Sequence, residues 1–152
     1  MRNSSTPTEP AMRDGSGCFA CGQANPIGLR LRFTADGDTV RAEFTPGPHY
    51  QGYDGVIHGG IVAAALDDAM AQLFHMKGQE SLTARLEIRF RKETPVGVRL
   101  VLTAWLTGGR AKLFTAEAAL SLQDGTRLAE AKGTFFRGPR AEEYVQDVAR
   151  DR

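Results

Sequence analysis

A chain of 152 residues with 41% hydrophobic and 24% charged side chains has the size and balance of one globular domain with a real core. A formal net charge of +1 excludes the basic excess of a dedicated nucleic-acid binder, and no apolar run approaches the roughly 20 residues that cross a bilayer, which argues against membrane insertion. Two cysteines cannot build a disulfide framework, so a reducing cytoplasm is the expected location.

Residues 1–17 are polar, rich in Ser, Thr, Pro and Gly, and lack the apolar centre of a secretory signal; they read as a disordered tail. The folded domain is expected over 18–138. Leu29-Arg30-Leu31-Arg32-Phe33 alternates apolar and basic residues as a half-buried strand does, and Val40-Arg41-Ala42-Glu43-Phe44 alternates again beyond the turn Asp36-Gly37-Asp38. The stretch from Thr45 to Val56 holds Pro46, Gly47, Pro48, Gly52 and Gly55 and must be an irregular loop.

A helix follows from Ile61 to Phe74, with Gly78 as its stop. Four more alternating runs, near 82–90, 98–106, 114–122 and 127–136, are separated by Gly-containing turns and read as an antiparallel meander. In the first of them Leu82, Ala84, Leu86, Ile88 and Phe90 fall on one face, and Thr83, Arg85, Glu87, Arg89 and Arg91 on the other. Residues 139–152 form a charged tail. Two strands, one apolar helix and four strands give an α+β domain, with a curved antiparallel sheet wrapped around one long central helix.

The helix contains a conflict. It is apolar on almost every face, so other structure must cover it, yet Asp67 and Asp68 sit at its centre. An unpaired buried carboxylate costs several kcal/mol, so such a residue is paired, reaches a wet cavity, or does chemistry. At the helix start stands His58-Gly59-Gly60. First-turn N–H groups lack intrahelical partners and suit a developing oxyanion, and glycine lets a substrate approach the backbone; a plain loop-to-helix turn is the bland reading.

Gly60 and Asp67 share a helix face but stand roughly 10 Å apart along the axis, whereas reacting groups must meet within about 3–3.5 Å. One chain cannot bring both to the same carbonyl; two antiparallel copies could, which makes a dimer the condition for joint catalysis. Asp68, about 100° further round, reads as a salt-bridge or interface residue. His58 could serve as base, substrate donor or structural hydrogen-bonder.

These residues give the chain a resemblance to the hotdog-fold acyl-CoA thioesterases, in the branch of the phenylacetate-degradation thioesterase. It rests on Cys-Phe-Ala-Cys-Gly-Gln-Ala-Asn-Pro-Ile-Gly-Leu at 18–29, Gln-Gly-Tyr-Asp-Gly-Val-Ile-His-Gly-Gly at 51–60, Asp67, and Thr-Ala-Arg-Leu-Glu-Ile-Arg-Phe at 83–90. The resemblance implies a hotdog fold and hydrolysis of an acyl-CoA thioester. By it, the amide of Gly59 or Gly60 polarises the carbonyl with His58 assisting, and Gly60 is the expected oxyanion donor. Asp67 acts as nucleophile or general base, and Thr83 positions water.

It also implies dimers, often tetramers, with sites at the dimer seam, and no cofactor beyond the coenzyme A of the substrate. Some relatives carry Asn or Gln six residues before the His; here Gly52 stands there, with Gln51 as a neighbouring substitute. An acyl-CoA binder without hydrolysis, a sensor or scaffold on the same fold, is the alternative.

Arg85, Arg89, Arg91 and Lys92 are candidates for the phosphates of coenzyme A, against a solvated face ion-paired through Glu87; Arg110 and Lys112 are weaker ones. Phe19, Tyr50, Tyr53, Met70 and Phe74 are candidates for an acyl pocket or for ordinary anchoring. Cys18 and Cys21 have the spacing of half a zinc site, but no second Cys pair exists, so packing thiols and no metal are expected; zinc would need His49, His58 or His75.

Overall fold

The computed structural model describes residues 12–138; the sequence expectations for 1–11 and for the tail at 139–152 lie outside the described residues. Six strands form one antiparallel sheet: β1 (Thr34–Asp36), β2 (Thr39–Phe44), β3 (Ser81–Phe90), β4 (Leu100–Arg110), β5 (Leu113–Leu122) and β6 (Arg127–Arg137). Helix α1 (Gly59–His75) lies between β2 and β3 in sequence. Gly78, with a φ of +76°, follows its last turn as a left-handed stop.

In space the strands run β1-β2-β4-β5-β6-β3. Strands β4 to β6 form the expected meander, but β3 does not belong to it. After α1 has crossed the sheet, β3 enters at the far edge, pairs with β6 alone and leaves its other side unpaired among the described residues. The first strand also differs from expectation. Arg30 takes a φ of +53°, which no extended strand allows, and Leu31 N–H goes to the carbonyl of Ala20 at 2.9 Å. The hairpin instead closes at Thr34–Asp36 around Gly37, whose φ of +59° suits a two-residue turn.

The helix lies close to the sheet because the facing side chains are small. Ala104, Ala116, Ala118, Ala129 and Ala131 are all buried beneath it, and a Cβ on Gly133 would stand 2.5 Å from the Phe135 ring and 3.1 Å from Met70. Val62, Leu66, Ala69, Met70 and Leu73 fill the helix side, while Phe74, Phe114 and Phe135 stack at one end. Met70 and Phe74 are therefore core residues. The wrapping is incomplete: Ile61, Ala63, Ala64, Asp67, Asp68 and Ala71 keep partial exposure. One stripe of α1 is left uncovered by its own sheet.

Candidate active site

The loop before α1 is irregular but tied down. Gln51 bridges Ile57, Val56 bridges Pro95, and His58 N–H donates to the Tyr50 carbonyl at 2.9 Å. Tyr50 is held in turn, its hydroxyl donating to the carbonyls of Gly28 (2.7 Å) and Ile27 (3.1 Å), with Phe19 edge-on to its ring. These bonds fix where His58 begins the helix.

His58 is the N-cap, and its Nδ1 accepts Gly60 N–H at 2.8 Å. The Gly60 amide is thus engaged within the protomer. An accepting Nδ1 also places the ring proton of neutral His58 on Nε2. Ile61 and Val62 donate to the His58 carbonyl. That leaves Gly59 N–H, exposed and without a carbonyl or side-chain acceptor among the described residues. Gly60, the expected oxyanion donor, is thus engaged by His58, and Gly59 is the exposed amide of the two with no acceptor among the described residues. A Cβ at Gly59 would sit 3.6 Å from the Phe90 ring, so Phe90, 54% exposed, forms the wall beside it.

Two turns further on, Asp67 is half-buried and accepts the Thr83 hydroxyl at 2.7 Å. Burial raises its carboxyl above the ordinary range, and the Thr83 bond opposes that rise in part. No cation pairs with Asp67 among the described residues.

The contact depends on a β-bulge. Thr83 pairs with Phe135 and Arg85 with Thr134, so Ala84 is the extra residue. Strict alternation places Thr83 on the outer face with Arg85; the bulge returns it to the face of Phe135, Gly133 and the helix. No sequence signal marks that bulge.

Asp68 turns to the other side. Cys18 Sγ lies 3.8 Å from its Oδ1, and its Oδ2 is buried without a partner. Burial pushes its carboxyl up to about 6. Among the described residues it has no ion pair.

The remaining candidates divide into groups. A cavity of about 330 Å³ at the helix start is lined by Val56, Gly59, Val62, Phe90, Arg91 and Lys92 among others, so two cationic candidates stand beside the free amide. Arg85 and Arg89 project from the opposite face of the sheet, where Arg89 and Arg91 border a second groove of about 320 Å³ with Trp105. That groove is remote from Asp67. Glu130, not Glu87, pairs with Arg91 and with Arg127. Gln51 spends its Oε1 on Gly55 N–H at 3.2 Å, and Tyr53 is 90% exposed with no role in lining the helix start.

The family model of the thioesterase superfamily matches residues 54–129, half of the chain, from the loop before His58 into β6. The chain belongs to the thioesterase superfamily. Acyl-coenzyme A thioesterase THEM4 of Bos taurus is 33% identical over 123 residues, 78% of this chain and 50% of that protein. The chain spans 38–50% of the length of the curated relatives it matches.

Among solved structures, a thioesterase superfamily protein superposes with a TM-score of 0.70 at 28% identity, covering 75% of this chain and 60% of that one. A Bacillus halodurans protein solved with CoA gives 0.65 at 24% identity, with 74% and 76% covered. The six-stranded antiparallel sheet over a single helix is thus the hotdog fold of the superfamily.

Superfamily membership was legible in the motifs, but two features of the site were not. His58 as N-cap escaped because histidine is not among the usual capping residues. The choice between the amides of Gly59 and Gly60 needed the imidazole position.

Proposed function

We propose that this domain hydrolyses acyl-CoA thioesters at a site shared by two antiparallel copies. The observation that carries the reading is a half-buried Asp67, oriented by Thr83 and with no cation on it among the described residues, together with a helix start whose Gly59 N–H has no acceptor among them. Gly59 and Asp67 are eight residues apart, roughly 12 Å along the axis. One protomer's Gly59 therefore serves a thioester that faces the partner's carboxylate. The uncovered stripe of α1 and the unpaired edge of β3 offer the surfaces for that contact. Dimer and tetramer are both compatible with it.

In this reading the thioester oxygen accepts Gly59 N–H, and His58 Nε2–H stands at the same helix start to orient it. Asp67 takes a proton from water as the oxygen attacks the carbonyl carbon. The tetrahedral oxyanion collapses, the C–S bond breaks, and the coenzyme A thiolate recovers the proton. Direct attack by Asp67, through an anhydride, is the other route to the same products. A single turnover in heavy-oxygen water separates them, since only the anhydride route can label the Asp67 carboxylate. Lys92, beside the helix start, is the side chain for the phosphates, joined by Arg91 if its guanidinium leaves Glu130, with Arg85 and Arg89 reachable only around the sheet edge. Two free thiols suit a reducing, cytoplasmic location.

The relatives named acyl-CoA thioesterases and the neighbour solved with CoA support the substrate class. The test is thiol release from a panel of acyl-CoAs by wild type and Asp67→Asn. Turnover by wild type that disappears in the variant, with binding retained, is expected. Tight binding without thiol release in the wild type would leave an acyl-CoA binder instead.

A further inference from the structure

The loop at 15–31 places two thiols on the carboxylate that the proposed reaction does not use. The turn is built tightly: Cys18 N–H donates to the Gly15 carbonyl, Gly22 N–H to the Cys18 carbonyl, and Cys21 N–H to Cys18 Sγ at 3.5 Å. A Cβ on Gly22 would lie 2.3 Å from Cys18 N, so only glycine closes it. The turn is held to the segment that follows it by Leu29 and Leu31, whose N–H groups donate to the carbonyls of Phe19 and Ala20.

Cys18 Sγ, Cys21 Sγ and a carboxylate oxygen of Asp68 all come within 4.8 Å of one another. Gln72, one turn along the helix, donates Nε2–H to Cys21 Sγ at 3.2 Å. Each sulfur therefore already accepts an N–H bond, the support that a metal-bound thiolate requires. No lysine or arginine pairs with Asp68 among the described residues, and its Oδ2 is buried and unsatisfied. Three acidic groups converge, and among the described residues the only side-chain cation that faces Asp68 is His75, which makes no ion pair with it.

We propose that Cys18, Cys21 and Asp68 bind one thiophilic divalent cation of the zinc class. A tetrahedral ion about 2.3 Å from sulfur and about 2.0–2.2 Å from oxygen separates those two ligands by about 3.6 Å. The 3.8 Å between Cys18 Sγ and Asp68 Oδ1 is close to that edge. Two thiolates select zinc over magnesium or calcium, which take oxygen ligands. Binding replaces two thiol protons, which leave for solvent, while Asp68 supplies its carboxylate. The fourth position opens on a cavity of about 220 Å³, also lined by His75, and water fills it. The ion would clip the 15–31 loop to α1 one residue from Asp67. This inference is independent of the hydrolase reading.

Titration of the full chain with Co²⁺ under reducing conditions tests it. One equivalent should produce thiolate-to-cobalt charge-transfer absorption with the visible bands of a tetrahedral ion, and Zn²⁺ should displace it. Cys21→Ser should abolish the absorption, and Asp68→Asn should weaken binding at least tenfold. In the unmodified protein, one equivalent of Zn²⁺ should slow thiol modification by a disulfide reagent at least tenfold. Absence of charge-transfer absorption in the wild type, its survival in Cys21→Ser, or an unchanged modification rate would each overturn the site.

Discussion

Asp67 and Asp68 are adjacent on one helix and share a residue type, yet they occupy opposite environments. Asp67 lies on the uncovered stripe and holds one hydroxyl at 2.7 Å. Asp68, about 100° round, is closed over by the Cys18–Gly22 turn, with two sulfurs for neighbours and one oxygen unsatisfied. Burial raises both carboxyls, and the nearest donors differ: a hydroxyl suits a base that must hold water, while thiols suit an ion. A raised carboxyl therefore does not by itself identify chemistry. What it faces does.

The contrast breaks most readily on kcat. Asp67→Asn should cost about 10²–10⁴ in steady-state turnover, the usual worth of a general base. Asp68→Asn should cost less than about tenfold in turnover, although it weakens binding of the proposed ion. Equal losses would mean that the two carboxylates act as a unit.

The other half of the proposed site can be deleted with little disturbance. Gly59 is the first helical residue and His58 has extended backbone (φ −55°, ψ 134°), so Gly59→Pro fits the helix start. With Gly59→Ala, which keeps the N–H, as the control for added bulk, the proline variant removes the N–H and sets a ring beside Phe90. A loss of about 10²–10³ in kcat is expected, as for an oxyanion donor. Mixed with Asp67→Asn protomers, it should recover about one quarter of wild-type activity if sites are shared across a two-fold dimer. No recovery after subunit exchange would place both groups of each site in one chain.

A smaller change is expected at Thr83. Thr83→Ala should lower kcat by about 10–100-fold, in line with a hydrogen bond to a charged group, and Thr83→Ser should restore most of it. The acid limb of kcat/KM should lie above the ordinary carboxylate range, because burial raises Asp67. In Thr83→Ala it should move higher still, since the bond that opposes the rise is gone.

The smallest effect is on stability. A carboxyl raised on folding binds its proton more tightly in the native state, so the stability cost is present above the folded pKa and relieved as pH falls through it. Asp67→Asn should therefore raise Tm at neutral pH, by roughly 2–4 °C if the relief is about 1 kcal/mol, and not at acid pH. A lower Tm at neutral pH would show that the ionised group is stabilised in the fold after all.

Much of the molecule was readable from residue patterns. Alternation located β2 and the four later strands, the unbroken apolar run located α1, and Gly78 its end. The same alternation misplaced the first strand, because Arg30 adopts a left-handed conformation that favours no strand and carries no compositional sign. It also sorted Thr83 to the wrong face, since a period of two holds only until a bulge adds one residue. Cys18 and Cys21 were seen as a pair, but their partner is 47 residues away from Cys21, beyond any local spacing rule.

The residues alone determined that a single apolar helix would pack on an antiparallel sheet and that two carboxylates would sit at the helix centre. That follows because burial of apolar surface depends on periodicity, which is local and visible in the chain. Tertiary structure decided which carboxylate met a hydroxyl and which met thiols, and which amide at the helix start was left without an acceptor. Those outcomes depend on contacts between segments far apart in sequence, where a shift of one residue at Ala84 or one imidazole over Gly60 reverses the assignment.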